Sequence, residues 1–130
     1  MTTNERIAAV KRDGLTIEFI DNPTPAERRA AVQEDGYAIK FITDPTPDER
    51  LAAVRQNGYV LQCIANPTPA ERMAAVQESG TAIQFLSDPT PAERMTAVKQ
   101  NGWAVRFIAS PSKAERMAAI RQNRNVIKYI

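Results

Sequence analysis

The residues of this chain that could carry out chemistry are few, and their types argue against catalysis. No histidine occurs among the 130 residues, which removes the side chain that most often acts as general base or zinc ligand. The one cysteine, Cys63, cannot form a zinc cluster, and the five glycines are spaced 22 residues apart rather than grouped in a phosphate-binding loop. Glu34-Asp35 and Asp13 are acidic residues at the end of the first helix of their units, but nothing in their sequence surroundings would separate their pKa values as an acid–base pair requires. We therefore predict that the chain is not an enzyme and needs no metal or cofactor.

A Glu-Arg dipeptide recurs every 22 residues and is the most regular charged feature of the chain. Its arginines are Arg6, Arg28, Arg50, Arg72, Arg94 and Arg116. Such a row could bind an anionic ligand, or each guanidinium could pair with a carboxylate or carbonyl of a neighbouring segment. A residue kept equally in every copy serves what all copies share, so we interpret the row as a structural ladder.

One position of the repeated sequence varies strongly and carries the large aromatic residues. It is occupied by Leu15, Tyr37, Tyr59, Thr81, Trp103 and Asn125. Tyr and Trp on an exposed face are typical anchors of protein interfaces, although this position could also simply border the core. Tyr37, Tyr59 and Trp103 are therefore candidate binding residues.

Charge is distributed unevenly along the chain. Residues 1–88 carry 9 basic against 13 acidic side chains and residues 89–130 carry 8 against 2, although the net charge is only +2. Candidate contacts to a nucleic-acid backbone at the basic end are Arg106, Arg121, Arg124 and Lys128, with Trp103 as a stacking aromatic. Alternatively, the acidic and basic ends could pair two copies of the chain head to tail.

These residues are positioned by one pattern of elements that is repeated six times. From Pro23 the sequence PTPAERRAAVQEDGYAIKFITD returns with few changes, so the chain is predicted to be a single domain. Its units span residues 1–22, 23–44, 45–66, 67–88, 89–110 and 111–130. Self-similarity with a period of about 20 to 50 residues indicates a solenoid, in which each unit buries its apolar side against its neighbours.

Each unit opens with the sequence signature of a helix start. In unit 2, Thr24 is predicted as the N-cap, Pro25 as the first helical residue and Glu27 as the partner that completes a capping box. The helix is expected to end at Gly36, because glycine readily takes the left-handed conformation after a helix end.

The second half of the unit, residues 37–42, is rich in β-formers and could be a strand of an α/β, leucine-rich-repeat-like solenoid. In a strand, Lys40 and Ile42 would share a face, yet the first position is always polar and the second always aliphatic. On a helix, residues 37, 38, 39, 41 and 42 form one apolar arc. We therefore predict an all-α solenoid of six 22-residue helix–turn–helix repeats. Cys63, at a position that is usually Phe, is expected in its core.

The unit also resembles a known kind of repeat. The pattern A-A-V-x-x-N-G-x-A-hydrophobic-x-aromatic-I, clearest at residues 52–62 and 97–107, is similar to a repeat family of unknown function found in bacterial and viral proteins. The similarity covers nearly the whole chain, although the connectors here are Pro-Thr-Pro instead of acidic segments. A weaker similarity links it to the leucine-rich repeat variant, another short helical array. Both resemblances imply a helical repeat protein and neither implies catalysis.

Together these features predict a binding function. No apolar run approaches the roughly 18 residues of a membrane span and no signal-peptide pattern opens the chain, so we expect a cytoplasmic protein without membrane contact. We predict a protein-binding scaffold or inhibitor-like interaction module, with a nucleic-acid-binding module as the alternative. A homodimer through the solenoid ends, or a partner protein that covers the last unit, is also expected, because residues 126–130 carry no obvious polar cap.

Overall fold

The structure is a computed structural model that describes residues 1–130. Each unit consists of an α-helix of ten residues followed by a 3₁₀ helix of six. The α-helices are α1 (Thr3–Arg12), α2 (Pro25–Glu34), α3 (Pro47–Gln56), α4 (Pro69–Glu78), α5 (Pro91–Gln100) and α6 (Lys113–Gln122). The 3₁₀ helices span Gly14–Phe19, Gly36–Phe41, Gly58–Cys63, Gly80–Phe85, Gly102–Phe107 and Arg124–Tyr129. The chain contains no strand, so the all-α solenoid is confirmed and the α/β alternative is not supported.

The helices form two layers with an apolar core between them. Each α-helix packs against the α-helix of the next unit, and each 3₁₀ helix packs against the following 3₁₀ helix and the following α-helix. Ala31 and Val32 contribute to the core from the α layer, and Ala38 and Ile39 contribute from the 3₁₀ layer. Every unit therefore buries its apolar side against its sequence neighbours, which is the packing of a solenoid.

The predicted helix starts are confirmed in all six units. In unit 2, the Thr24 hydroxyl accepts a hydrogen bond from the Glu27 amide at 3.1 Å, and the Glu27 carboxylate accepts one from the Thr24 amide at 2.8 Å. The same capping box is formed at the start of every other α-helix. Two backbone N–H groups that the helix would leave without partners are thereby satisfied.

The predicted role of the glycines is wrong. No glycine has a positive φ; α2 instead ends at Asp35 in an extended conformation, where its side chain accepts a hydrogen bond from the amide of Tyr37. Glycine is needed because the next unit approaches closely. A Cβ added to Gly58 would lie 2.5 Å from the carbonyl oxygen of Ala75, which is backbone and cannot rotate away.

The left-handed conformation belongs to the residue that precedes each connector proline. Asn22, Asp44, Asn66, Asp88 and Ser110 all have φ between 46° and 51°. Four of the five are Asn or Asp, the non-glycine residues that enter this region most readily. Four of the five connectors thus turn the chain at an Asn or Asp residue and the fifth at Ser110, whereas glycine serves the contact between units.

The 3₁₀ geometry also changes which side chains the second helix buries. With three residues per turn, Gly36, Ile39 and Ile42 lie on one face, and all three are buried. Phe41 was predicted in the apolar arc but is exposed, as is Cys63 at the equivalent position of unit 3. The prediction of a buried Cys63 thiol is therefore wrong, because it assumed the angular spacing of an α-helix.

None of the helices is both long enough and apolar enough to cross a membrane.

Candidate functional site

The arginine row forms a continuous ladder across the junctions between units. Arg28 Nη2 lies 2.8 Å from the Glu49 carboxylate of the next unit and 3.2 Å from the carbonyl oxygen of Thr43 in its own connector. The other ladder pairs are Arg6–Glu27, Arg50–Glu71, Arg72–Glu93 and Arg94–Glu115, with distances of 2.6–2.9 Å. Because the same glutamates complete the capping boxes, each pair ties one unit to the first turn of the next.

The carboxylates of the ladder are buried, and two have perturbed pKa values. The Arg72 guanidinium donates through Nε and Nη2 to both oxygens of Glu93, and these hydrogen bonds hold the pKa of Glu93 below its usual value despite burial. Burial opposes ionisation of Glu115, but hydrogen bonds from Arg94 and from the Ser112 backbone outweigh it, so the pKa of Glu115 is also lowered. These guanidinium groups already have carboxylate partners within the fold.

Arg116 differs from the other ladder arginines. No glutamate follows it in a next unit, and its guanidinium instead donates to the carbonyl oxygen of Pro111 at 2.8 Å. The first glutamate of the series, Glu5, is exposed and forms its capping box without an arginine. The ladder therefore has one unmatched member at each end.

The exposed side of the 3₁₀ layer carries the variable aromatic residues. Trp103 is half-buried and its ring lies 5.3 Å from that of Tyr129, tilted by 57°. The Arg106 guanidinium lies over the same tyrosine ring at 5.0 Å, and Tyr129 is 56% exposed. These three residues form a small amphipathic surface, which we call the aromatic cluster, between units 5 and 6.

Tyr37 and Tyr59 occupy the position of Trp103 in earlier units, but their surroundings differ. The Tyr37 hydroxyl accepts a hydrogen bond from Gln62 at 3.0 Å. The Tyr59 hydroxyl is hydrogen-bonded to the hydroxyl of Thr81, and its ring packs edge-on against Phe85. Both side chains are thus partly buried and already have polar partners in the fold.

The structure divides the predicted basic residues between the two layers. Arg106 and Lys128 lie in the 3₁₀ helices of units 5 and 6, and Arg106 contacts the Tyr129 ring. Arg121 lies on α6, beside a groove between α5 and α6 whose floor is apolar. That groove is lined by Met95, Lys99, Lys113, Ala114, Met117, Ala118 and Arg121. Arg124 begins the last 3₁₀ helix, so the candidate residues do not converge on one site.

The surface of the last two units is cationic. Glu93 and Glu115 are the only acidic side chains among residues 89–130, and both are buried in the ladder. The exposed charged side chains of this region are Lys99, Arg106, Lys113, Arg121, Arg124 and Lys128. Burial of the carboxylates therefore makes the surface more uniformly positive than the composition indicates.

Sequence reasoning missed the position of Phe41 as a surface feature. Phe107 and Tyr129 at this position are about half-exposed, and Tyr129 belongs to the aromatic cluster. The sequence does carry a signal for this exposure: the position accepts Phe, Cys and Tyr, whereas the position of Ile42, buried in units 1, 2 and 5, is always Ile or Leu.

No group of three or more His, Cys, Asp or Glu side chains is arranged to hold a metal ion. No protein-family model matches the chain, and no curated protein or solved structure is significantly similar to it.

Proposed function

We propose that this protein is a binding module that holds an acidic, partly apolar segment of a partner protein on the 3₁₀ layer of units 5 and 6. The aromatic cluster is the observation that carries the proposal. Trp, Tyr and Arg are the residues most enriched among the side chains that dominate binding energy at protein interfaces, and here all three lie together.

The charge and polarity of this surface support a protein partner. Arg106 lies over the Tyr129 ring, Lys128 is exposed in the same 3₁₀ helix as Tyr129, and neither unit has an exposed Asp or Glu side chain, so an acidic segment is electrostatically favoured. Phe107 and Tyr129 also expose apolar area, which a peptide with hydrophobic side chains would remove from water.

Trp103 is the single tryptophan of the chain, so its fluorescence reports on this surface without interference. We expect selection from a display library of random short peptides to enrich acidic sequences with aromatic or aliphatic residues. Titration of a selected peptide should change Trp103 emission. Trp103→Ala and Arg106→Glu should each weaken binding about tenfold or more, because each removes a central contact.

A matched control is Arg55→Glu, which makes the same charge change on the exposed side of α3. It should leave peptide binding within about twofold, since it lies in the other layer. Equal losses from Arg106→Glu and Arg55→Glu would mean that overall charge, rather than the aromatic cluster, governs binding.

The uniformly cationic surface of the last two units also supports the alternative, a nucleic-acid-binding module. Against it, Arg121 lies in the α layer whereas Arg106 and Lys128 lie in the 3₁₀ layer, so the cations do not track one backbone. A single-stranded oligonucleotide tested by fluorescence anisotropy decides the matter. Salt-sensitive binding that the triple change Arg106→Glu, Arg121→Glu and Lys128→Glu abolishes would favour nucleic acid, and no binding at low salt would eliminate it.

A further inference from the structure

Two positions meet at the junctions between consecutive units. One is the glycine that begins the 3₁₀ helix, and the other is the position of Gln56 near the end of the next α-helix. The Gly36 amide donates to the Gln56 side-chain oxygen at 2.7 Å. Equivalent bonds join Gly80 to Gln100 at 2.5 Å and Gly102 to Gln122 at 2.6 Å.

The first of these positions admits only glycine wherever another unit follows. A Cβ on Gly36, Gly58 or Gly102 would lie 2.5 Å from a backbone carbonyl oxygen of the next unit. Side-chain rotation cannot relieve such a contact, so any larger residue would force the two units apart.

Unit 6 has arginine at this position. Its end face is otherwise the surface that a further unit would cover: Ile127 is 59% exposed there, whereas the equivalent Ile39 is 5% exposed. Arg124 nevertheless places a Cβ and a cationic side chain where the stacking geometry requires a hydrogen atom.

Unit 1 differs from the others at the second position. Arg12 replaces the Gln or Glu found there in units 2 to 6. If a second copy stacked its first unit on unit 6, Arg12 would face Arg124, and two like charges would meet beside a steric clash. The unmatched ladder members, Glu5 and Arg116, would attract in the same arrangement, but one ion pair cannot offset a backbone overlap.

We propose that Arg12 and Arg124 block head-to-tail stacking and keep the solenoid from joining to further copies of itself. Such blocking residues are the device by which repeat and sheet proteins suppress unwanted self-association. The sequence predicted a homodimer through the ends, with head-to-tail pairing of two copies as one form of it; the junction geometry argues against that form. This inference does not depend on the proposed binding function.

The test is the double change Arg12→Gln and Arg124→Gly, which restores the residues found at internal junctions. Sedimentation of the wild type is expected to show a monomer across the accessible concentration range. The double variant should associate with increasing concentration, with self-association about tenfold or more tighter than wild type. Adding Arg116→Glu, which would place a carboxylate against Glu5, should reverse that association.

A matched variant separates the steric from the electrostatic contribution. Arg12→Gln with Arg124→Ala removes both charges but keeps the Cβ, so it should remain monomeric like the wild type. Circular dichroism checks that all variants keep their helical content. Head-to-tail association of the wild type, a double variant that stays monomeric at every concentration, or association of the alanine variant would each overturn the proposal.

Discussion

At the scale of the residue, the glycines show that the packing of neighbouring units can depend on the absence of a single Cβ atom. Gly58 has ordinary backbone angles, and its missing Cβ creates the space into which the Ala75 carbonyl oxygen fits. The sequence indicated a glycine at the helix end but not which unit requires it. That information lies in a contact with a residue 17 positions further along the chain, which no local pattern reports.

One pair of substitutions distinguishes a glycine needed for close packing from a glycine needed for a positive φ. Gly58→Asn should lower the free energy of unfolding by about 3 kcal/mol, because any Cβ overlaps the next unit. Asn66→Gly should change it by only about 0.5 kcal/mol, because Asn66 has a positive φ that glycine accepts. Urea denaturation measures both. A tolerated Gly58→Asn would restore the left-handed role predicted from the sequence.

At the scale of the element, the ladder explains why Glu-Arg recurs in every unit. The capping role of Glu27 follows from the sequence, since Thr24 and Glu27 have the spacing of a capping box. The sequence did not identify which carboxylate each arginine contacts, because Arg6 lies near Glu27 only when two units are stacked. Likewise, the second helix was predicted as a helix, but its 3₁₀ period and the exposure of Phe41 depend on backbone bonding that residue types alone do not determine.

Removal of one ladder arginine should show how much its ion pair stabilises the fold and how that stabilisation depends on pH. Arg72→Met should lower the free energy of unfolding by about 2 kcal/mol at pH 7, because it leaves the buried Glu93 carboxylate without its arginine partner. Glu93 has a pKa below its usual 4.5 in the folded protein, so its ionised form stabilises the fold above that pH. The contribution is lost as pH falls through the lower folded-state pKa.

The difference between wild type and Arg72→Met should therefore shrink as the pH of urea denaturation is lowered from neutral into the acid range. Arg55→Met is the matched control: Arg55 is exposed and forms no ion pair, so its removal should change stability by no more than about 0.5 kcal/mol at any pH. A loss that is equal for the two variants, or independent of pH for Arg72→Met, would contradict the ladder.

At the scale of the whole molecule, the invariant and the variable positions of the repeat have different roles. Positions that are the same in all units, such as those of Ala31 and Arg28, lie in the core or the ladder and hold the array together. Positions that vary lie on the exposed sides of the layers, and burial of Glu93 and Glu115 leaves the last two units with a cationic surface. The array and its unit boundaries were predictable from periodicity; the meeting of Trp103, Arg106 and Tyr129 required the stacking geometry of units 5 and 6.

The most direct test of binding at the aromatic cluster is a chemical-shift map of the isotope-labelled protein. The protein would be titrated with the tightest-binding acidic peptide selected by display. We expect the largest changes at the Trp103 indole, Arg106 and Tyr129, with α-layer residues such as Lys113 and Arg121 nearly unchanged. Changes centred on the groove between α5 and α6, or spread evenly over every cationic side chain, would contradict the assignment of binding to the aromatic cluster.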